Sequence, residues 1–181
     1  DAGVDMIIHG TFLKPDGTIF FDPAVGERLA RSGTWVNPTL HVRRCRIEAI
    51  EEKRQEVGLT PDEEAVLGQE VKAYEDRLEL TRNMYEAGVK VIGGSDCGWY
   101  SYPFGQFHRE LDSLVLSGAS PAQAVVAGTR DAASALNVLD KVGTLEAGKE
   151  ADLLVVDGDP TRDIMDLNRV TAVFKAGDRV R

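Results

Sequence analysis

The sequence contains no apolar run long enough to span a bilayer, and no signal-peptide pattern is visible in it. It has only two cysteines, Cys45 and Cys97, in unlike settings and without metal-type spacing between them. Free thiols in a reducing, cytoplasmic compartment are therefore expected. Basic charge is scarce: 21 Lys and Arg face 30 Asp and Glu, for a formal net charge of -9. Broad contact with nucleic acid or acidic lipid is not expected from such a surface. The densest basic cluster, Arg43, Arg44 and Arg46, is followed at once by Glu48, Glu51 and Glu52, which reads as the mixed face of a solvated helix. No Gly-x-Gly-x-x-Gly or phosphate-loop pattern follows any strand, so a nucleotide-binding α/β protein lacks support. The length allows one domain with a sizeable core, or one domain with a small appendage.

What is present is organised around Ala87-Gly88-Val89-Lys90-Val91-Ile92-Gly93-Gly94-Ser95-Asp96. A helix stops at Gly88, a β-branched run follows between glycines, and a carboxylate stands at its end. This is the pattern of a buried parallel strand. In parallel α/β architectures the carboxyl ends of strands face the functional crevice, which makes Asp96 a candidate for chemistry. The competing reading of Asp96 is a cap for the next loop or helix.

The rest of the chain repeats the strand-helix alternation. Residues 4–10 form a strand that ends on His9 and breaks at Gly10, with a turn over Lys14-Pro15-Asp16-Gly17. Asp22-Pro23 opens a helix that Gly33 closes, and Thr34 to Leu40 is the next strand, with His41 just after it. Residues 43–57 predict a charged helix with Ile47, Ile50 and Val57 on one stripe. Thr60-Pro61-Asp62-Glu63 is a capping box. It opens a long helix whose inner face is Leu67, Val71, Tyr74, Leu78, Thr81 and Tyr85.

After Asp96 comes an aromatic loop from Trp99 to Phe107, read either as a pocket wall or as a hydrophobic plug. A helix follows from about Gln106 to Ser117, then a second capping box at Ser120-Pro121-Ala122-Gln123, with His108 on a helix surface. Beyond residue 138 the pattern changes to short strands at 142–145, 151–156 and 170–175, separated by glycine turns. The division expected is an α/β part over 1–138 and a small β module over 139–181.

Several of these segments match one known pattern. Ala2-Gly3-Val4-Asp5 leading to His9-Gly10-Thr11, then Pro38-Thr39-Leu40, then Glu86-Ala87-Gly88-Val89 leading to Gly94-Ser95-Asp96, resembles the last third of an amidohydrolase-superfamily enzyme, in the imidazolonepropionase-like and Xaa-Pro dipeptidase-like branch. The tail, Gly143 to Leu153 with Asp157-Gly158-Asp159-Pro160, resembles that family's C-terminal signature. The resemblance implies an α/β fold: the last three β/α units of a (β/α)8 TIM-type barrel, plus C-terminal strands of a small β-sandwich. It implies that His9 is a metal ligand and that Asp96 both binds metal and handles protons; His41, by its place near a strand's carboxyl end, is a candidate for substrate contact. The implied cofactor is a divalent metal, zinc above others, with about one or two ions in the complete enzyme.

The implied reaction is hydrolysis of a C–N bond in an amide, cyclic amide, dipeptide or urea by metal-activated water. The partners implied are a small-molecule substrate, a missing N-terminal barrel portion that carries the other ligands, and a possible second copy of the chain. Asp1 is expected to be a cut end. A non-catalytic relic or association module of the same fold is the alternative.

Overall fold

The computed structural model describes residues 3–98 and 102–181, so Ala2, Trp99 and Tyr100 of the motifs above lie outside it. Three short parallel strands, β1 (Met6–Ile8), β2 (Trp35–Asn37) and β3 (Lys90–Val91), form one sheet in sequence order. Ile7 lies opposite Val36, and Val36 opposite Val91. Between them run α1 (Pro23–Ser32), then α2 (His41–Val57) and α3 (Pro61–Glu86), with α4 (Phe107–Leu116) after β3. Because all three strands run the same way, the residues that follow each one emerge on a single rim.

The helices begin where local chemistry satisfies their first amides. The Asp22 carboxylate accepts from Ala24 N at 2.9 Å, Pro23 takes the first position of α1, and Gly33 closes that helix at φ 70°. Thr60 and Glu63 form the reciprocal capping box that opens α3. Helix α2 has no cap of its own. Its first amides, Leu40 N and His41 N, donate instead to the two carboxylate oxygens of Glu110 on α4, at 3.0 and 2.6 Å. That contact spans about seventy residues of chain, and the helix starts two residues earlier than its apolar spacing predicts.

The inner faces follow the expected stripes only in part. Leu67 and Thr81 of α3 are buried, with Tyr74, Leu78 and Tyr85 packed against the core, but Glu70 is buried among them. Val57, expected on the inner stripe of α2, is 76% exposed at the helix's end, where Lys53 and Arg54 pair with Glu63 and Glu64 of α3.

The chain continues through α5 (Pro121–Ala127) and α6 (Arg130–Ala135) to a second, antiparallel sheet of β4 (Leu153–Val156), β5 (Val170–Lys175) and β6 (Asp178–Arg179). The strand expected at 142–145 does not form. Gly143, at φ 95°, turns the chain so closely onto α6 that a Cβ there would lie 2.6 Å from the Ala133 methyl. A short 3-10 helix, Ile164–Asn168, was not foreseen; the Asp163 carboxylate starts it by accepting from Met165 N. Its Ile164 is buried in the same apolar cluster as Val36, Leu40, Met84, Leu111 and Leu114. The 3-10 helix therefore joins the C-terminal part to the core of the first sheet, whose cluster takes in no residue of β4, β5 or β6. Among the described residues no helix is long and apolar enough to cross a membrane.

Candidate metal centre at the strand ends

Beyond each parallel strand stands a non-glycine residue in the left-handed region: His9 at φ 67°, just after β1, Thr39 at φ 48°, shortly after β2, and Asp96 at φ 50°, in the loop that follows β3. For a β-branched residue such as Thr39 this conformation is a true outlier, and each such position costs of order 1–3 kcal/mol. Only two other described non-glycine residues, Asn137 and Ala176, share it, both at turns away from this rim. The strain turns three polar side chains toward one cavity of about 460 Å³, which His9, Thr39 and Asp96 all line. Gly94 makes the close approach possible: a Cβ there would meet the Asn37 amide at 2.0 Å.

The hydrogen bonds at this rim fix the state of the His9 ring. The Thr39 hydroxyl donates to Pro38 O at 2.8 Å, so its only proton is used there. With that bond made, Nδ1 of His9, 2.7 Å from Thr39 Oγ1, is the nitrogen that donates to that oxygen. The lone pair is left on Nε2, the arrangement a metal-binding histidine needs. Behind this pair, the Arg77 guanidinium of α3 donates to His9 O at 3.0 Å and also to Pro38 O, tying the ends of β1 and β2 together. Burial pushes the Arg77 pKa down, and neighbouring Arg43 adds to that shift.

An imidazole and a carboxylate that line one cavity are ligand types suited to a divalent ion. They make up part of a site, since a catalytic zinc centre draws three ligands from protein, and among the described residues no three His, Cys, Asp or Glu side chains form a metal-holding group.

Comparison with known proteins agrees with this geometry. The model of the amidohydrolase family matches residues 1–180. The chain belongs to the amidohydrolase family. It is 32% identical over 113 residues to the imidazolonepropionase of Thermoplasma volcanium, a match covering 61% of this chain and 28% of that protein. The structure of a Xaa-Pro dipeptidase with bound methionine in the active site superimposes with a TM-score of 0.74 at 30% identity, over 99% of this chain and 40% of that one. A putative prolidase from Bifidobacterium longum gives 0.76 at 30% identity, over 99% and 42%. The amidohydrolase chain thus spans well under half the length of these relatives.

The other expected site residues fall elsewhere in this chain. His41 is fully buried at the start of α2, its ring set edge-on to Tyr102 at 4.5 Å, and it does not line the cavity. It therefore has no surface for the substrate contact expected of it. Neither ring nitrogen makes a well-formed hydrogen bond among the described residues, and burial, then Arg44, bring its pKa down to about 4 against the pull of the Gln106 side chain. In the aromatic loop Tyr102 is a plug, buried to 2%, whereas Phe104 is 80% exposed and neither lines the cavity. His108 is half-buried on α4, with its pKa lowered chiefly by burial.

Sequence reasoning missed the charged groups that line the same cavity as the strand ends. Arg43 and Arg46, read as solvated, line the cavity and both bind the Glu70 carboxylate, Arg46 at 3.0 Å. A signal existed: Glu70 and Arg77 stand seven apart, flanking the apolar stripe of α3, where a solvated face would not place them.

Proposed function

We propose that this chain is the C-terminal part of a metal-dependent amidohydrolase that cleaves C–N bonds in a small substrate. The strained convergence of His9 and Asp96 on one cavity carries the reading. In it, β1, β2 and β3 are the last three strands of a (β/α)8 barrel over residues 1–138, and residues 139–181 contribute to a small β-sandwich. The short span relative to the imidazolonepropionase and the Xaa-Pro dipeptidase supports upstream chain as the source of the remaining strands and ligands. That Cys45 and Cys97 form no disulfide is compatible with a reducing cytoplasm.

His9 Nε2 and the Asp96 carboxylate would hold the ion, zinc by the chemistry of the set. When bound, the metal supplies a Lewis acid and a water acidic enough to attack near neutral pH. Asp96 then takes a proton from the attacking water onto a carboxylate oxygen and delivers it to the leaving nitrogen, acting as base and then as acid. That transfer contributes typically ~10² to 10⁴ in rate. Thr39 and Arg77 keep the imidazole in its tautomer and its strand end in place. Methionine in the active site of the dipeptidase relative, and the proline-peptide activity named for the prolidase, support an amide of amino-acid size as substrate.

The test uses the longest native polypeptide that contains this chain. Metal analysis should find about one or two divalent ions per chain, with amide hydrolysis. Asp96→Asn should abolish turnover, and His9→Ala should weaken metal binding. Metal content and turnover indifferent to both changes would remove the assignment and leave the non-catalytic reading.

A further inference from the structure

The last two residues of β2 each fill a space that a neighbouring glycine leaves open. Val36 faces Gly10, the residue after His9: a Cβ on Gly10 would lie 2.4 Å from Val36 Cγ1. Asn37 faces Gly94, two residues before Asp96: a Cβ there would lie 2.0 Å from Nδ2, 2.7 Å from Cγ and 3.0 Å from Oδ1 of Asn37. Gly94 is not in the left-handed region, so glycine is required there by the amide pressed against it and not by its own backbone. The central strand thus sets how near the chain on either side can come, and each side carries one candidate ligand.

Asn37 is tied to both sides at once. It is buried, and its Oδ1 accepts from Thr39 N at 3.3 Å, the turn an asparagine side chain closes with the amide two residues on. Thr39 carries the oxygen that stands 2.7 Å from His9 Nδ1. One path of contacts therefore leads from this amide through Thr39 to His9, and another through Gly94 to Asp96. Behind it the strands are locked by Ile92 N donating to Val36 O at 2.9 Å and Gly93 N to Ala127 O at 3.2 Å. The Asn37 amide is the next packing contact toward Asp96, and it does not line the cavity itself.

We propose that Asn37 is a positioning residue that fixes the separation of His9 and Asp96, and with it the size of divalent ion the rim accepts. The inference rests on the hydrolase reading, which makes those two residues ligands, and adds a spacer that touches neither ion nor substrate. Two ligands held at a set separation discriminate between ions of different radius, whereas a loose pair adjusts to either.

The test is the affinity of the longest native polypeptide for Zn²⁺ and for the larger Mn²⁺, by competition with a chelator, beside the thermal midpoint of the metal-free protein. Asn37→Ala should weaken Zn²⁺ by about 10- to 100-fold and Mn²⁺ by less, so that the preference for zinc falls. Gly94→Ala drives a methyl into the amide and should lose zinc as well. In Gly94→Ala/Asn37→Ala that methyl takes the volume the amide vacates, so the zinc preference should recover above that of Asn37→Ala. A contact that served stability alone would weaken both ions alike and leave their ratio unchanged.

An unchanged ratio in Asn37→Ala, or a double variant no more selective than Asn37→Ala, would overturn the spacer. If zinc binding is still lost in His9→Ala and Asp96→Asn, the hydrolase reading survives that result. Zinc binding indifferent to His9→Ala and Asp96→Asn would overturn the ligand assignment and the spacer with it.

Discussion

A single hydroxyl proton determines the chemistry of His9. Thr39 spends its proton on Pro38 O, and the imidazole answers with Nδ1–H, which presents Nε2 to the cavity. Thr39→Val keeps the shape and removes the acceptor, leaving the ring free to rotate or change tautomer. The expected outcome is a loss of metal affinity of about 10- to 100-fold, measured by competition with a chelator, while Thr39→Ser retains most of it. Relief of the strained φ at a β-branched residue should make Thr39→Gly no less stable than wild type, although it too loses metal affinity. The strand-end residues were legible in the sequence, because a run of apolar residues ending in His or Asp between glycines points to a rim. Thr39 was not: its role depends on a left-handed backbone that no local pattern announces.

At the scale of the element, helix α2 is started by a residue from another helix. Glu110 lies in the first turn of α4, fully buried, and its carboxylate takes the place of the absent N-cap of α2. Burial raises its pKa to about 7, against the opposing pull of the His41 and Leu40 amides and of Arg77. The same helix start buries His41, whose pKa falls to about 4.

The two shifts have opposite consequences. Glu110, ordinarily titrating near 4.5, holds an extra proton in the folded state up to about 7, so its contribution to stability is lost as pH rises through that window. His41, ordinarily near 6.5, is kept neutral in the fold, so its contribution is lost as pH falls from there toward 4. Between these limits the slopes cancel, each worth at most about 1.4 kcal/mol per pH unit. Glu110→Gln should therefore leave a protein whose stability rises with pH from about 4 to 6.5. His41→Phe should leave one whose stability falls from about 4.5 to 7. Denaturant melts of the native polypeptide across this range will show whether the slopes separate.

Capping boxes at Thr60 and Ser120 were readable because donor and acceptor lie within one turn of helix. The cap of α2 was not, since its two halves are about seventy residues apart and meet only when the helices pack.

For the whole molecule the question is whether the division near residue 138 marks two folding units. Composition changes there, from strand-helix alternation to short strands and glycine turns, and the sheets are separate. Packing joins what the sheets separate. The 3-10 helix inserts Ile164, 3% exposed, into the cluster built by α3, α4 and β2, with Met165 and Leu167 beside it. Nothing in the 164–168 stretch signals this, because five residues are too few to display a period.

If the 3-10 helix couples the two parts, Ile164→Ala should cost about 2–5 kcal/mol, as large-to-small changes at closed sites do. The calorimetric transition of the native polypeptide should stay single and move down. Were residues 139–181 an independent unit, the same change would split the transition, with the β module melting first and the strand-end rim, followed by metal retention, unaffected. A single shifted transition accompanied by earlier metal release would place the antiparallel sheet among the elements that hold His9 and Asp96 in position. It would do so through α4, whose Glu110 starts α2 and whose Leu111 and Leu114 pack in one cluster with Ile164.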